Sequence, residues 1–366
     1  MKIGILTYHR SHNYGALLQA YALKEFLNKQ GYRDVEFIDY FPDYHIQMYA
    51  NIKPKEFGLL PYKKKIKYPF YLIFKYYPLY RTREKRRKSF NRFIKKYLIK
   101  KNEGIKNINY DVVIYGSDQI WRKQKKNECP GFNEIYFGDK KIKAKKRMAF
   151  SASMGEIEID SKDVIFLNRS LKRFSAISVR ENDLFNLVKD IAECPMEHTL
   201  DPVFLLGKKE WDDIIPQKLI KGKYLLFYNF LENAAILDIV EFISSKTGLI
   251  VIELIGKINK REYTPNSRIY DGPENFLSLI KYADFIVTSS FHGVALSIIF
   301  EKQFYACLSY KVQRVFSLLS IFGIGERLID SVQDINLQNL INYDDLSCFV
   351  KQERQKSIQF LCDNIS

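Results

Sequence analysis

The opening forty residues constrain the fold more than any other stretch. "KIGILTY" is a continuous apolar run, the pattern of a parallel strand buried on both faces. "HRSHNYG" is a polar loop, and "ALLQAYALKEFLNKQG" repeats apolar residues at helical spacing up to Gly31, a natural C-cap. "DVEFIDY" then reads as a second strand. Strand, helix and strand in so short a span make a βαβ unit. Such a unit commits the chain to a parallel sheet with right-handed crossovers.

The pattern recurs. "YDVVIYG", "RMAFSAS", "FSAISVRE" and "HTLDPVFLL" read as further strands ending in polar tips. After a helix over "KKEWDDIIPQ" a second series begins, with strands at "KYLLFYNF", "LIVIELIG", "DFIVTSS" and "QFYACL". Helices are expected over "AAILDIVEFISSKTG", "ENFLSLIKYA" and "GVALSIIFEK", the last beginning near Gly293. At 366 residues the chain exceeds one simple core. Two α/β, Rossmann-like lobes are therefore expected, 1–205 and 206–366, facing a central cleft, with the last helices packing back on the first lobe. Ligands of such folds bind at the carboxyl ends of the strands.

Residues 42–101 interrupt the alternation. They carry Pro42, Pro54, Pro61, Pro69 and Pro78, and between Pro61 and Lys101 stand sixteen Lys or Arg against the single acid Glu84. That is nearly the whole of the formal net charge of +16. The segment reads as an insertion of short helices, clearest over "TREKRRKSFNRFIKKYL", with Phe90, Phe93, Ile94 and Tyr97 on one face. Cations interleaved with Tyr and Phe suit an anionic membrane surface, and 61–101 are assigned to it against the blander reading of a solvated basic face. No nucleic-acid-binding module accompanies the charge, so nucleic acid is not an expected partner. Five cysteines without a CxxC pair argue against a disulfide framework or a cysteine zinc site. The N-terminus reads as a strand rather than a signal peptide, and no run approaches ~20 apolar residues. The expected address is the cytoplasm, at the inner face of its membrane if the basic segment binds there.

The strand tips hold the candidate chemistry. "DFIVTSSFHGVALSIIF" places His292 at a strand's carboxyl end and a helix's N-terminus together. Backbone N–H groups there favour anions, Ser289 and Ser290 add hydroxyls, Gly293 permits close approach, and a histidine moves protons near neutral pH. A plain helix cap is the competing reading. Asn13 and Gly15 form a similar tip, where His9 and His12 lack a nearby carboxylate and no metal is expected. Ser117, Asp118 and Gln119 suit hydrogen bonds to sugar hydroxyls or phosphate oxygens, against a self-satisfied turn. Arg180, ending an apolar strand, suits phosphate or carboxylate, against a salt bridge to a core acid. Asp201, before Pro202, reads as a strand end.

The stretches "HNYGALLQAYAL", "DVVIYGSDQIW", "AISVRE", "TLDPVFLL" and "YADFIVTSSFHGVALSIIFEKQFYA" stand in the order found in the polysaccharide pyruvyl transferase family, and the chain resembles that family from Lys2 to about Gly325. The resemblance implies a fold similar to that of GT-B glycosyltransferases. It implies phosphoenolpyruvate as donor and co-substrate, with no cofactor, and a sugar of a surface polysaccharide, free or lipid-linked, as acceptor, joined as a pyruvate ketal. It implies that His292 is catalytic and that Arg180 holds donor anions, with Ser289, Ser290 and Gly293 beside them. Asn13, Gly15, Ser117, Asp118 and Gln119 would position ligand groups. The chain departs from the family in one place: many members carry arginine two residues before the histidine, where this chain has Ser290, followed by Phe291. Lys311 and Arg314 are the candidate substitutes. A nucleotide-sugar glycosyltransferase and a non-catalytic sugar-binding relative are the competing functions.

Overall fold

A computed structural model of the chain describes residues 1–45, 77–99, 104–124, 130–230, 234–258, 263–308 and 313–365. The first lobe runs β1 (Lys2–Leu6), α1 (Tyr14–Lys29), β2 (Asp34–Phe37), α2 (Tyr77–Phe93), β3 (Asn109–Tyr115), β4 (Lys143–Ala152), α3 (Ser161–Leu171), β5 (Ala176–Val179), α4 (Asn182–Val188) and β6 (Met196–His198). Its strands are all parallel, in the order β2-β1-β3-β4-β5-β6. The second runs α5 (Lys208–Asp212), β7 (Tyr224–Asn229), α6 (Ala234–Thr247), β8 (Ile250–Ile255), β9 (Ser267–Arg268), α7 (Pro273–Lys281), β10 (Phe285–Thr288), α8 (Phe291–Ile299), β11 (Phe304–Ala306), α9 (Gln313–Ile321) and α10 (Tyr343–Ile365). Its parallel strands lie in the order β11-β10-β7-β8-β9. The two Rossmann-like α/β lobes expected from the strand pattern are present.

Each sheet reverses its winding once. In the first, the chain moves outward from β1 to β2 and then returns to lay β3 on the other side of β1. In the second it moves from β7 outward to β9 and returns to lay β10 beside β7. At such switch points adjacent crossovers leave the sheet in opposite directions and open a crevice at the carboxyl ends of the strands. The segments after β1, β3, β7 and β10 are therefore where a ligand fits.

One apolar core runs through both lobes. Leu17, Leu18 and Leu23 of α1 pack with Phe276 and Leu277 of α7, Leu296 of α8 and Phe204 in a single buried cluster. Each fully buried side chain of this kind contributes about 1.5–3 kcal/mol. Leu17→Ala would cost about 2–5 kcal/mol and loosen the helix whose N-terminus borders the cleft. Separate clusters fill the far face of each sheet. Helix α10 returns to the first lobe: Leu200 N donates to Ser357 Oγ at 2.9 Å, and Arg354 Nη2 donates to the Leu205 carbonyl at 2.8 Å.

Four local expectations need correction. "HTLDPVFLL" is not one strand: β6 stops at His198, and Pro202–Leu205 form a 3-10 turn capped by Asp201. Pro202 lacks the N–H that a ladder needs, and its fixed φ suits a helical start. The helix over "KKEWDDIIPQ" is only Lys208–Asp212. Helix α8 begins at Phe291 rather than near Gly293, with Ser290 as N-cap, so His292 lies in its first turn. In the insertion, Tyr77–Phe93 and a wider turn over Ile94–Leu98 form one continuous helix. Its apolar stripe faces inward: Phe90 and Phe93 are fully buried, and Tyr97 packs against the shared core. The aromatic side chains of this stripe are thus structural and do not present themselves to a membrane. Residues 61–76 and 100–101 of the same basic segment lie outside the described residues.

Candidate active site

The cleft between the switch points encloses about 550 Å³. Helices α1 and α8 point their N-termini at it from opposite lobes, and Gly15 and His292 meet there. A Cβ on Gly15 would stand 1.9 Å from His292 Nδ1, so only a glycine admits the imidazole. A Cβ on Gly293 would stand 2.3 Å from Thr288 Oγ1, so the second glycine lets α8 start tight against β10. The two helix ends differ. Asn13 caps α1, its Oδ1 accepting from Ala16 N at 3.2 Å. Ser290 takes the extended N-cap conformation (φ −128°, ψ 133°) but its side chain caps nothing. First-turn N–H groups of α8 without a side-chain cap favour an anion from the cleft.

Behind His292 lies a buried charge network. His292 Nε2 is 3.5 Å from Asp201 Oδ2, and both side chains are almost wholly buried. The same oxygen accepts from Arg180 Nη1 and from Ser117 Oγ, the latter at 3.3 Å, while Oδ1 accepts from Val203 N at 3.0 Å. Burial alone would raise the Asp201 pKa. The charges of His292 and Arg180 and the Val203 N–H outweigh it and hold the carboxyl well below its usual range. Arg180 Nε also approaches Glu181 Oε1 at 3.4 Å, and Glu181 accepts from Ser153 Oγ at 2.5 Å. Asp201 thus fixes the imidazole: Nε2 turns to the carboxylate, and Nδ1 lies over Gly15. A carboxylate behind a histidine sets its tautomer and orientation.

The walls of the cleft are cationic. Arg83, Arg86, Arg87, Arg122, Lys257 and Arg314 line it, against Asp118 as the one acid among the described lining residues. Arg314, near the start of α9, lies 5.8 Å from the centre of the Phe291 ring, and Arg180 lies 4.5 Å from the same ring. With its amide oxygen turned toward α9, Gln119 accepts from Arg314 Nε at 3.3 Å and Nη2 at 3.1 Å. Burial, and then the neighbouring Arg180, bring the Arg314 guanidinium down to about 10, which leaves it charged at neutral pH. Two further histidines line the cleft. Burial, and then Arg86 and Arg87, lower His12 against the opposing hydrogen bond to Asn91 Oδ1. Burial takes His45 down to about 4, with Asp118 opposing. Among the described residues, no group of three or more His, Cys, Asp or Glu is placed to hold a metal, and no helix is long and apolar enough to cross a membrane.

Most of the sequence candidates converge here. Asn13, Asp118, Gln119, Ser289, Ser290, His292 and Arg314 line the cleft, while Gly15 and Gly293 shape it from beneath. Three have their polar side-chain atoms engaged within the protein. Ser117 is fully buried and serves Asp201 rather than the cleft surface. Ser289 Oγ accepts from Phe230 N at 3.0 Å and ties the β10 tip to the β7 tip. Arg180 is 4 % exposed, and its guanidinium is turned to Asp201 and Glu181 behind Phe291. Its Nε and Nη1 serve Glu181 and Asp201, while its Nη2 has no hydrogen-bond partner among the described residues. Lys311 lies outside the described residues. Sequence reasoning missed Asp201 and Arg86. Asp201 was visible only as a polar residue before proline, and nothing local tells a strand end from a carboxylate facing another lobe.

Two parallel α/β lobes with a cationic cleft at their facing switch points define a two-lobed, Rossmann-like architecture. The family model described as polysaccharide pyruvyl transferase matches residues 13–312, and the chain belongs to that family. No curated protein matches the sequence. Among solved structures, the chain is similar to a protein of uncharacterised function from Klebsiella pneumoniae subsp. pneumoniae (10 % identity, 90 % of this chain and 93 % of that one, TM-score 0.46). It is also similar to spinosyn forosaminyltransferase (11 %, 98 % and 95 %, 0.42) and to an E. coli heptosyltransferase with ADP (9 %, 96 % and 100 %, 0.40).

Proposed function

We propose that the protein moves the pyruvate group of phosphoenolpyruvate onto two hydroxyls of a glycan acceptor and forms a pyruvate ketal. The observation that carries this reading is His292, backed by buried Asp201 and seated on Gly15, at the floor of a cleft whose walls are cationic. Phosphoenolpyruvate puts a phosphate and a carboxylate on one enol carbon. A site for it needs cations, an open helix N-terminus and a proton donor, which is the set assembled around His292.

In the reaction, the methylene carbon gains one proton and the adjacent carbon accepts a sugar oxygen. A second hydroxyl of the acceptor adds to the same carbon as the C–O bond to phosphate breaks. Two hydroxyl protons are released; one balances the proton on the new methyl group and the other leaves on the phosphate. His292 Nδ1 is assigned to proton transfer, with Asp201 compensating the charge of the imidazolium. Arg314 and the N–H groups of α8 hold donor anions. Arg314 takes the part of the arginine that the family carries where this chain has Ser290. Asp118, Gln119 and Asn13 orient acceptor hydroxyls. The acceptor is a polysaccharide unit, free or lipid-linked. The outward cations of α2 and the following turn, Arg81, Lys85, Lys88, Arg92 and Lys95, supply the attraction to an anionic membrane surface on the cytoplasmic side.

The test is incubation with phosphoenolpyruvate and candidate glycans, reading phosphate release and product mass. Acceptor-dependent phosphate release, with a product heavier by one pyruvate ketal, is the expected result. Protection from thermal unfolding by a nucleotide sugar, and none by phosphoenolpyruvate, would replace this reading with glycosyl transfer.

A further inference from the structure

The Phe291 ring stands where the charge network and the cationic wall meet. It is 4 % exposed and borders the cleft. The Arg180 guanidinium lies over it, 4.5 Å from the ring centre, and the Arg314 guanidinium lies over it at 5.8 Å. The His292 imidazole meets it edge to face, with ring centres 5.1 Å apart and planes at 88°. Arg180 follows β5 of the first lobe and Arg314 belongs to α9 of the second, so one side chain of α8 gathers a cation from each lobe.

The two cations are held by different means. Arg180 donates to Asp201 through Nη1, and its Nε approaches Glu181 Oε1 at 3.4 Å. Arg314 forms no ion pair among the described residues; its hydrogen bonds go to the neutral Gln119 amide at 3.3 and 3.1 Å. Arg180 repels it, and Glu181 and Asp118 offset part of that repulsion. A ring face attracts a guanidinium through its quadrupole, more strongly where water is excluded. Neither ring nor amide neutralises the cation, so together they fix Arg314 in place and leave its charge to act on a ligand. An aliphatic side chain at position 291 would fill the space without attracting either cation. Only Gln119 would then restrain Arg314 against Arg180.

We infer that Phe291 is a positioning residue: its ring holds Arg314 at the cleft wall near His292, where the guanidinium binds a donor anion. The inference deepens the proposed function and rests on its reading of Arg314. It also gives adjacent residues complementary parts. Ser290 leaves the N-terminus of α8 without a side-chain cap, and Phe291 recruits a cation from α9 to the same end.

Calorimetric titration of the full chain with phosphoenolpyruvate tests this in the wild type, Phe291→Leu, Arg314→Met and the double variant, each with a matched melting curve. Phe291→Leu is expected to weaken phosphoenolpyruvate about tenfold, and to weaken it no further once Arg314→Met is present. Equal weakening in both backgrounds, or wild-type affinity in Phe291→Leu, overturns the inference. If Phe291→Leu does not fold, Phe291→Met replaces it in the same cycle, removing the ring while keeping most of its volume. A second readout needs no donor. The ring current of Phe291 should shift the Arg314 side-chain NMR signals upfield in the wild type, and Phe291→Leu should abolish the shift. Unshifted wild-type signals overturn the inference. A wild type that shows the shift but binds no phosphoenolpyruvate would remove the donor reading and uphold the positioning of Arg314.

Discussion

His292 occupies the space that a side chain on Gly15 would fill: its Nδ1 lies 1.9 Å from where that Cβ would stand. One residue opens the first helix of the first lobe and the other lies in the first turn of a helix in the second lobe. The imidazole is held by the closeness of two backbones and by Asp201 behind it. The position of the imidazole is thus a property of how the lobes meet.

Gly15→Ala should displace the imidazole while leaving the Asn13 cap and the shared core intact. Turnover is expected to fall by about two orders of magnitude, since misplacement by about 1 Å has that effect. Phosphate release measured beside a thermal melt checks this; wild-type turnover with an intact fold would mean that the His292 position does not matter.

Asp201→Asn should destabilise the protein by about 3–5 kcal/mol, because it leaves Arg180 short of its counter-charge in a fully buried network. Chemical denaturation of the variant measures the difference. A change within about 0.5 kcal/mol, the range of ordinary surface substitutions, would show that the network is not the buried ion pair described here.

Arg86→Met should lower stability by roughly 1–3 kcal/mol through the two carbonyl groups left without donors at the β8 tip. The effect should appear in the melting temperature and in faster amide exchange around Ile255 and Gly256. Unchanged exchange at these residues would contradict the bridging role of α2.

His45 gives the fold an acid-sensitive element. Its folded pKa, about 4, lies below the ordinary histidine value. Between pH 6.5 and 4 the unfolded chain therefore binds the proton that the folded chain does not, and stability falls as pH falls through that window. Thermal melts across it should show a loss on the order of 2 kcal/mol that His45→Phe diminishes. Equal acid sensitivity in the variant would assign the loss elsewhere.

The sheets were legible from sequence because each buried parallel strand carries its own apolar run, as β1, β3 and β10 do. The site was legible in part because polar tips such as "GSDQ" and "TSSFHG" interrupt those runs. Asp201 was not, since its partners His292 and Arg180 are brought to it by the tertiary fold. Arg86 was hidden in the basic run. Nothing in "TREKRRKSF" marks which arginine turns inward, whereas Phe90 and Phe93 did mark the buried face.

The central claim is that His292 performs proton transfer in the release of phosphate from phosphoenolpyruvate. The most direct measurement is acceptor-dependent phosphate release by the wild type and by His292→Ala, each with a matched melting curve. The account predicts that the variant turns over about two to four orders of magnitude more slowly at unchanged stability. A folded His292→Ala protein releasing phosphate at close to the wild-type rate would contradict it.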